Sequence, residues 1–393
     1  MALPAPGPST RSVHVPRHLD EATRSIVPPV VENTAYAFGD LETWRSVALH
    51  EAPGDIYSRN SNPTTRLLEQ KVAALEGAER AASFSTGMAA ISTTLFALLG
   101  PSKKVVTVRD AYGGTFLLFT QVLPRFQVSC RVCDTADHRA IEAAVAEGCD
   151  LVYLESPTNP TLKVLDIARL TAAAHRVGAV TVIDNTFATP INQTPIALGA
   201  DLVIHSATKF MCGHGDMLGG VLCGRADLLD TVCQFRELTG AALHAHAASV
   251  LLRSLKTLGL RIQRHNRNAL ALAEFLENRP EVKRVHYPGL PSHPNHDVAR
   301  RQMSGYGGVL SFELRGGPQA VGRLLPRLRY AYLAANLGQV ETIVGPPATT
   351  SHVELTAEER LQAGVPEGLI RYSVGIEDVA DLKADLASAL ESL

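Results

Sequence analysis

The sequence predicts an α/β protein in which a mostly parallel sheet carries helices on both faces and a smaller α+β domain follows. Two observations predict it. Short runs rich in Val, Ile and Leu recur at 105–108, 128–132, 151–155, 180–184, 202–205 and 221–223. Amphipathic stretches such as 136–147 and 167–177 lie between several of them. Strands that read as near-continuous apolar runs, alternating with helices, belong to a parallel sheet buried on both sides. The second observation is the change of pattern after Pro280, where strand-like runs at 282–287, 309–314 and 370–374 mix with helical runs at 320–328 and 378–392.

The elements follow in order. Residues 1 to about 25 are rich in Pro, Ser and Arg and show no apolar period, so an arm that orders on a partner is expected there. From Asn62 to Gly77 the apolar residues Leu67, Leu68, Val72 and Leu75 recur at helical spacing, between a start signal at Asn62-Pro63 and a stop at Gly77. Ser85-Thr86-Gly87 opens a second helix, Met88 to Leu99. Residues 241–276 have helical periodicity almost throughout, and a long connecting helix with a break near Gly259 is expected.

Composition bounds the function. The 393 residues carry 37 basic and 39 acidic side chains, a net charge of −2. No basic field exists to hold a polyanion, so nucleic acid is not an expected partner. Charge, Gly or Pro interrupts every apolar run before ~18 residues, so no membrane span is expected. The first 20 residues contain four prolines and no apolar core of a signal peptide. The six cysteines sit mostly inside apolar segments and read as reduced, buried thiols of a cytoplasmic protein. Cys130 and Cys133 have a metal-like spacing, but residues three apart on a strand face opposite ways. His244 and His246 do not share a helical face. No metal is expected. His293, His296 and His352 read as surface loop histidines, and His214 as a residue that orders its loop.

Four strings carry chemistry. Val203–Phe210 is a strand that ends in Ser206-Ala207-Thr208-Lys209. A lysine just past a strand end can act as a Schiff-base nucleophile where its pKa is lowered, and the flanking hydroxyls can bind phosphate oxygens. Alone, the string reads equally well as a solvated lysine. Ala179–Pro190 is a second apolar strand, ending in Asp184. A buried acid needs a partner, and a protonated pyridine nitrogen is one. An N-cap aspartate is the plainer alternative. Ser85-Thr86-Gly87-Met88 places backbone N–H groups at a helix start, where anions bind. Tyr112, beside Gly113 and Gly114, can stack on a flat ring or simply pack.

Phosphate cradle, stacking aromatic, Asp and Lys occur in that chain order. With the strings at 55–69, 85–90, 111–116, 155–160, 184–190, 205–210, 213–216 and 369–378, the chain resembles the Cys/Met-metabolism (transsulfuration) enzymes that use pyridoxal 5'-phosphate (PLP). The resemblance implies PLP fold-type I, of the aspartate aminotransferase kind, with a seven-stranded sheet in the large domain. It implies an arm at 1–60 that serves the neighbouring subunit's active site, a PLP-binding domain at 61–240, and a connecting helix with a C-terminal domain at 241–393. Lys209 then carries PLP and moves protons along the substrate. Asp184 partners the ring nitrogen, and Tyr112 stacks on the ring and takes part in acid/base steps. Gly87 and Met88 bind the phosphate by backbone, Ser206 and Thr208 by side chain. Tyr57 and Arg59 reach the phosphate of the neighbouring subunit, in a homotetramer built of such dimers. Arg371 grips the substrate carboxylate, with Asn159 near it and the cofactor.

Elimination and replacement at Cγ share all of these residues. The stretch 235–261 and Ile56 look most like the methionine γ-lyases, since cystathionine-handling members tend to carry an acid at Ile56. Gly114 stands where those lyases often have a reactive cysteine. Asn336 replaces the serine usual in lyases and cystathionine γ-synthases, as in homoserine sulfhydrylases. Ala335 lacks a glutamate that often precedes it, and the stretch 345–352 departs from the usual start. The implied activity is γ-elimination on a sulfur amino acid, with γ-replacement on O-acetyl- or O-succinylhomoserine as the alternative. A catalytically silent PLP-fold protein is the reading from another class. A nucleotide-binding fold is poorly supported, because no G-x-G-x-x-G follows the first strand.

Overall fold

The computed structural model describes residues 6–14, 20, 24–49, 51–350, 353, 356–362 and 364–393. Two sheets organise the chain. The larger contains β1 (Arg80–Phe84), β2 (Lys104–Val108), β3 (Ser129–Cys133), β4 (Leu151–Glu155), β5 (Val180–Asp184), β6 (Leu202–Ser206) and β7 (Gly220–Gly224). Their order is β1-β7-β6-β5-β4-β2-β3, parallel except where β7 runs against both β1 and β6. The chain leaves β2 for β3 on one side and returns to β4 on the other. Ligands in such sheets bind outside the carboxyl ends of the strands, near that reversal.

The second sheet contains β8 (Val282–His286), β9 (Val309–Leu314), β10 (Tyr332–Leu333), β11 (Ile343–Gly345) and β12 (Leu369–Ser373), in the order β10-β11-β12-β9-β8. It has its own core, with Phe312, Tyr372 and Leu386 fully buried. Ser311 of β9, beside Arg371 in register, donates 2.7 Å to the carbonyl of Pro160. This bond fixes the second sheet against the loop that follows β4.

Local chemistry explains the helices nearest the site. The helix Pro63–Glu76 starts where the Asn62 side chain accepts from the Thr64 N–H, and it ends at Gly77 with φ 72°. The helix Gly87–Leu98 is capped by Thr86, whose hydroxyl accepts from the Ala89 N–H at 2.9 Å.

Expectations change at the arm and at His293. β1 carries no β-branched residue and is made a strand by antiparallel pairing with β7, so tertiary context overrides propensity. The connecting helix breaks close to the expected place: it is two helices, Ala245–Leu255 and Leu258–Glu277, separated at Lys256-Thr257. Gly259 lies inside the second, where a Cβ would come within 2.5 Å of Ser9 Oγ. The arm is partly ordered on its own chain: Pro8–His14 is a helix, and Lys71 Nζ donates to the carbonyl of Ser12 at 2.6 Å. His293 is buried rather than surface-exposed, and burial lowers its pKa to about 4. His352 lies outside the described residues.

Cys130 and Cys133 face different apolar clusters on the two sides of β3, as the strand period requires. All six cysteines are unpaired; Cys133, Cys212 and Cys223 are buried as expected, whereas Cys130, Cys149 and Cys233 are only partly so. No group of potential ligands among the described residues could hold a metal ion, and no helix among them is long and apolar enough to cross a membrane.

Candidate active site

The carboxyl ends of β4, β5 and β6 open into a cleft of about 340 Å³. It is lined by Gly87, Met88, Tyr112, Asn159, Asp184, Ser206, Thr208, Lys209, Asn336 and Arg371. Ten of the twelve residues singled out from the sequence thus meet in one place. Tyr57 and Arg59 do not. Arg59 donates to the carbonyl of Glu237 and lies 5.5 Å from the Tyr57 ring, and Tyr57 is 44% exposed.

The cradle is built by close approach. A Cβ on Gly87 would come within 2.8 Å of the Ser206 side chain, so only glycine lets the helix start meet the end of β6. Thr208 Oγ1 accepts from the Gly219 N–H at 3.0 Å, which orders the turn carrying Lys209. Backbone N–H groups at the helix start and two hydroxyls face one space, and this suits a phosphate.

Asp184 is fully buried. Its Oδ1 accepts from Thr186 Oγ1 at 2.6 Å and from the Thr186 N–H at 3.0 Å. Its Oδ2 has only a long bond, 3.4 Å, from the Tyr153 hydroxyl. Burial pushes its pKa up, against the Thr186 bonds. A buried carboxylate with one oxygen so weakly held calls for a cationic partner. The protonated ring nitrogen of PLP is such a partner, so the donor set fits that cofactor.

Lys209 Nζ donates 2.5 Å to Asn336 Oδ1. Burial, and after it the charge of Arg371, lower its pKa to about 8. Arg371 is nearly buried, and its pKa is lowered to about 10 by burial. Its guanidinium donates to Asn159 Oδ1 at 3.2 Å and to the carbonyl of Asn336 at 3.1 Å. Both acceptors are neutral, so the fork's charge is left for an incoming carboxylate.

Sequence reasoning passed over three residues. Glu155 ends β4 beside Asp184 and accepts from the N–H groups of Tyr112 at 2.7 Å and Asn159 at 3.1 Å. Burial and the neighbouring Asp184 push its pKa well up. The signal was present, since 151–155 is an apolar run closed by an acid, just as 180–184 is. His205 and Glu76 meet at 2.6 Å with both side chains buried, and this histidine offsets part of the upward push on Asp184. Nothing in the sequence pairs residues so far apart.

The family model for the Cys/Met metabolism PLP-dependent enzymes matches residues 9–391. The chain belongs to this family. It is 42% identical over 389 residues to an L-methionine gamma-lyase of Pseudomonas putida, covering 98% of each chain. It is 44% identical over 343 residues to an O-succinylhomoserine sulfhydrylase of Pseudomonas aeruginosa, covering 87% of this chain and 85% of that one. A cystathionine gamma synthase from Xanthomonas oryzae pv. oryzae, solved in complex with cystathionine, superposes with a TM-score of 0.94 at 38% identity over 99% of both chains. As a family member the protein is a PLP-dependent enzyme of fold-type I.

Proposed function

We propose that the protein catalyses γ-elimination on a sulfur amino acid, as a methionine γ-lyase does: L-methionine and water give 2-oxobutanoate, ammonia and methanethiol. The observation that carries this reading is the meeting of Lys209 and Arg371 in one cleft, in a chain similar to methionine γ-lyases over nearly its whole length.

In this reading Asp184 holds the ring nitrogen of PLP, and Tyr112 the ring face. Gly87, Met88, Ser206 and Thr208 hold the phosphate. The bound cofactor supplies an electron sink that makes the substrate's Cα and Cβ protons removable. Lys209 does the moving. A pKa of about 8 lets it both take and return protons near neutral pH. Arg371 grips the carboxylate and sets which carbon faces Lys209, while Asn159 holds the fork. Tyr112 is the second acid/base group. Glu155 fixes the backbones of Tyr112 and Asn159, so both stay in place as the substrate turns over.

Asn336 favours a second reading, γ-replacement on an O-acetyl- or O-succinylhomoserine, because an amide stands at the lysine where most lyases have a hydroxyl. In either reading Tyr57 and Arg59 serve the phosphate of the neighbouring subunit, from an arm at 1–60, in a homotetramer of site-sharing dimers. Their position outside the chain's own cleft supports this. The six unpaired cysteines support a cytoplasmic location.

The test is to supply L-methionine, L-cystathionine and O-acetyl- or O-succinyl-L-homoserine in turn to the PLP-loaded enzyme and to assay 2-oxobutanoate and ammonia. Formation of both from methionine alone is expected. Reaction of an activated homoserine only, diverted by an added thiol, would replace elimination with replacement.

A further inference from the structure

The amide of Asn336 is held at both ends. Its Oδ1 accepts from Lys209 Nζ at 2.5 Å, and its Nδ2 donates to Gln339 Oε1 at 2.8 Å. Gln339 is half-buried and does not line the cleft. Its other amide atom lies against Gly215, where a Cβ would come within 2.1 Å of Nε2. Gly215, with φ +68°, belongs to the loop that follows Lys209, and the Val340 N–H donates 2.9 Å to the Gly213 carbonyl of the same loop. The segment carrying Asn336 and Gln339 is thus docked on the segment carrying the lysine.

An asparagine side chain offers two unlike ends. The carbonyl accepts from an ammonium and stabilises it, whereas the NH₂ can only donate, which suits a neutral amine and repels an ammonium. A carbonyl at position 339 draws the NH₂ to itself and turns Asn336 Oδ1 toward Lys209. We propose that Gln339 is a positioning residue that, through Asn336, sets the proton affinity of Lys209. Arg371 acts on the same lysine in the opposite sense. The other titratable groups lining the cleft are Asp184, Glu155 and Tyr112. His214 and Asp216 lie on the loop beside Gln339, and Glu341 lies two residues beyond it. None of these is replaced when position 339 is substituted, and the N336A background separates any movement of the loop at Gly215 from the effect of the amide chain. The proposal rests on Lys209 being the lysine that takes PLP, not on elimination or replacement as the reaction.

The experiment measures the rate at which the full-length chain, freed of cofactor, takes up PLP as a function of pH, followed by absorbance. Only neutral lysine attacks, so the rate rises through the pKa of Lys209. Q339L removes the acceptor and moves this limb down by about one pH unit, a tenfold change in proton affinity. Q339E can only accept and adds negative charge, so it moves the limb up. In an N336A background Q339L has no further effect, because the two act as one coupled pair. Q339M, similar in volume, serves if Q339L does not fold. A Q339L or Q339M limb that coincides with the unsubstituted chain overturns the proposal, and so does an equal shift in the N336A background. Failure of the unsubstituted chain to take up PLP would instead remove Lys209 from its role, an outcome distinct from an unmoved limb.

Discussion

Lys209 sits between an amide carbonyl that favours its proton and a guanidinium that opposes it, in a cleft where burial weighs most. Its lowered pKa has a definite sign in kinetics. The lysine that removes a substrate proton must be neutral, and below about pH 8 it is protonated. Turnover under saturating substrate should therefore rise with pH and level off no lower than about 8, since a carboxylate held on Arg371 offsets the charge that helps lower the lysine. A rate that falls across that range would assign the controlling step to another group. Lys209→Ala should lower kcat by at least about 10³-fold, the scale of a lost acid/base group, even where the cofactor remains bound. Retention of more than a tenth of the activity would place proton transfer elsewhere.

At the scale of elements, the cradle depends on how closely the start of the Gly87–Leu98 helix meets the end of β6. Gly87→Ala puts a methyl within 2.8 Å of Ser206, so one of the two elements must shift. PLP affinity should fall by about 10- to 100-fold, the cost of one or two misplaced charge-assisted hydrogen bonds, with little loss of fold. Equilibrium dialysis against PLP measures it, and unchanged affinity would mean that the phosphate does not use this helix start. The same elements show what was legible in the sequence. β4, β5 and β6 are buried on both faces, so their apolar runs stand out, and the residues that close them line the cleft. β1 was not legible, because Arg-Ala-Ala-Ser-Phe has no strand signal until β7 lies beside it. The break at Lys256-Thr257 was legible to within three residues, as a break near Gly259, although that glycine itself serves the close approach of Ser9. Glu155 was legible by the rule that singled out Asp184. The pairing of Asn336 with Gln339, and of both with the lysine loop, depends on contacts that spacing does not encode.

At the scale of the molecule, one chain supplies the cleft from both of its sheets, yet two of the residues implied for the phosphate stand apart from it. Among the described residues, Arg59 reaches only Glu237 and the Tyr57 ring of its own chain. If these side chains complete a neighbour's site, two inactive chains can repair each other. A Lys209→Ala chain keeps its arm, and an Arg59→Ala chain keeps its lysine. Each homodimer then lacks one part at both sites. A mixed dimer has one site with neither part and one site with both. Random pairing of equal amounts makes half of the dimers mixed, so about a quarter of all sites should be whole. Co-expression of the two chains under separate tags, with tandem purification, removes the tetramers built of one variant alone and leaves just over a quarter of the sites, about 0.29, whole. Activity no higher than that of either variant alone would show that Tyr57 and Arg59 act, if at all, within their own chain.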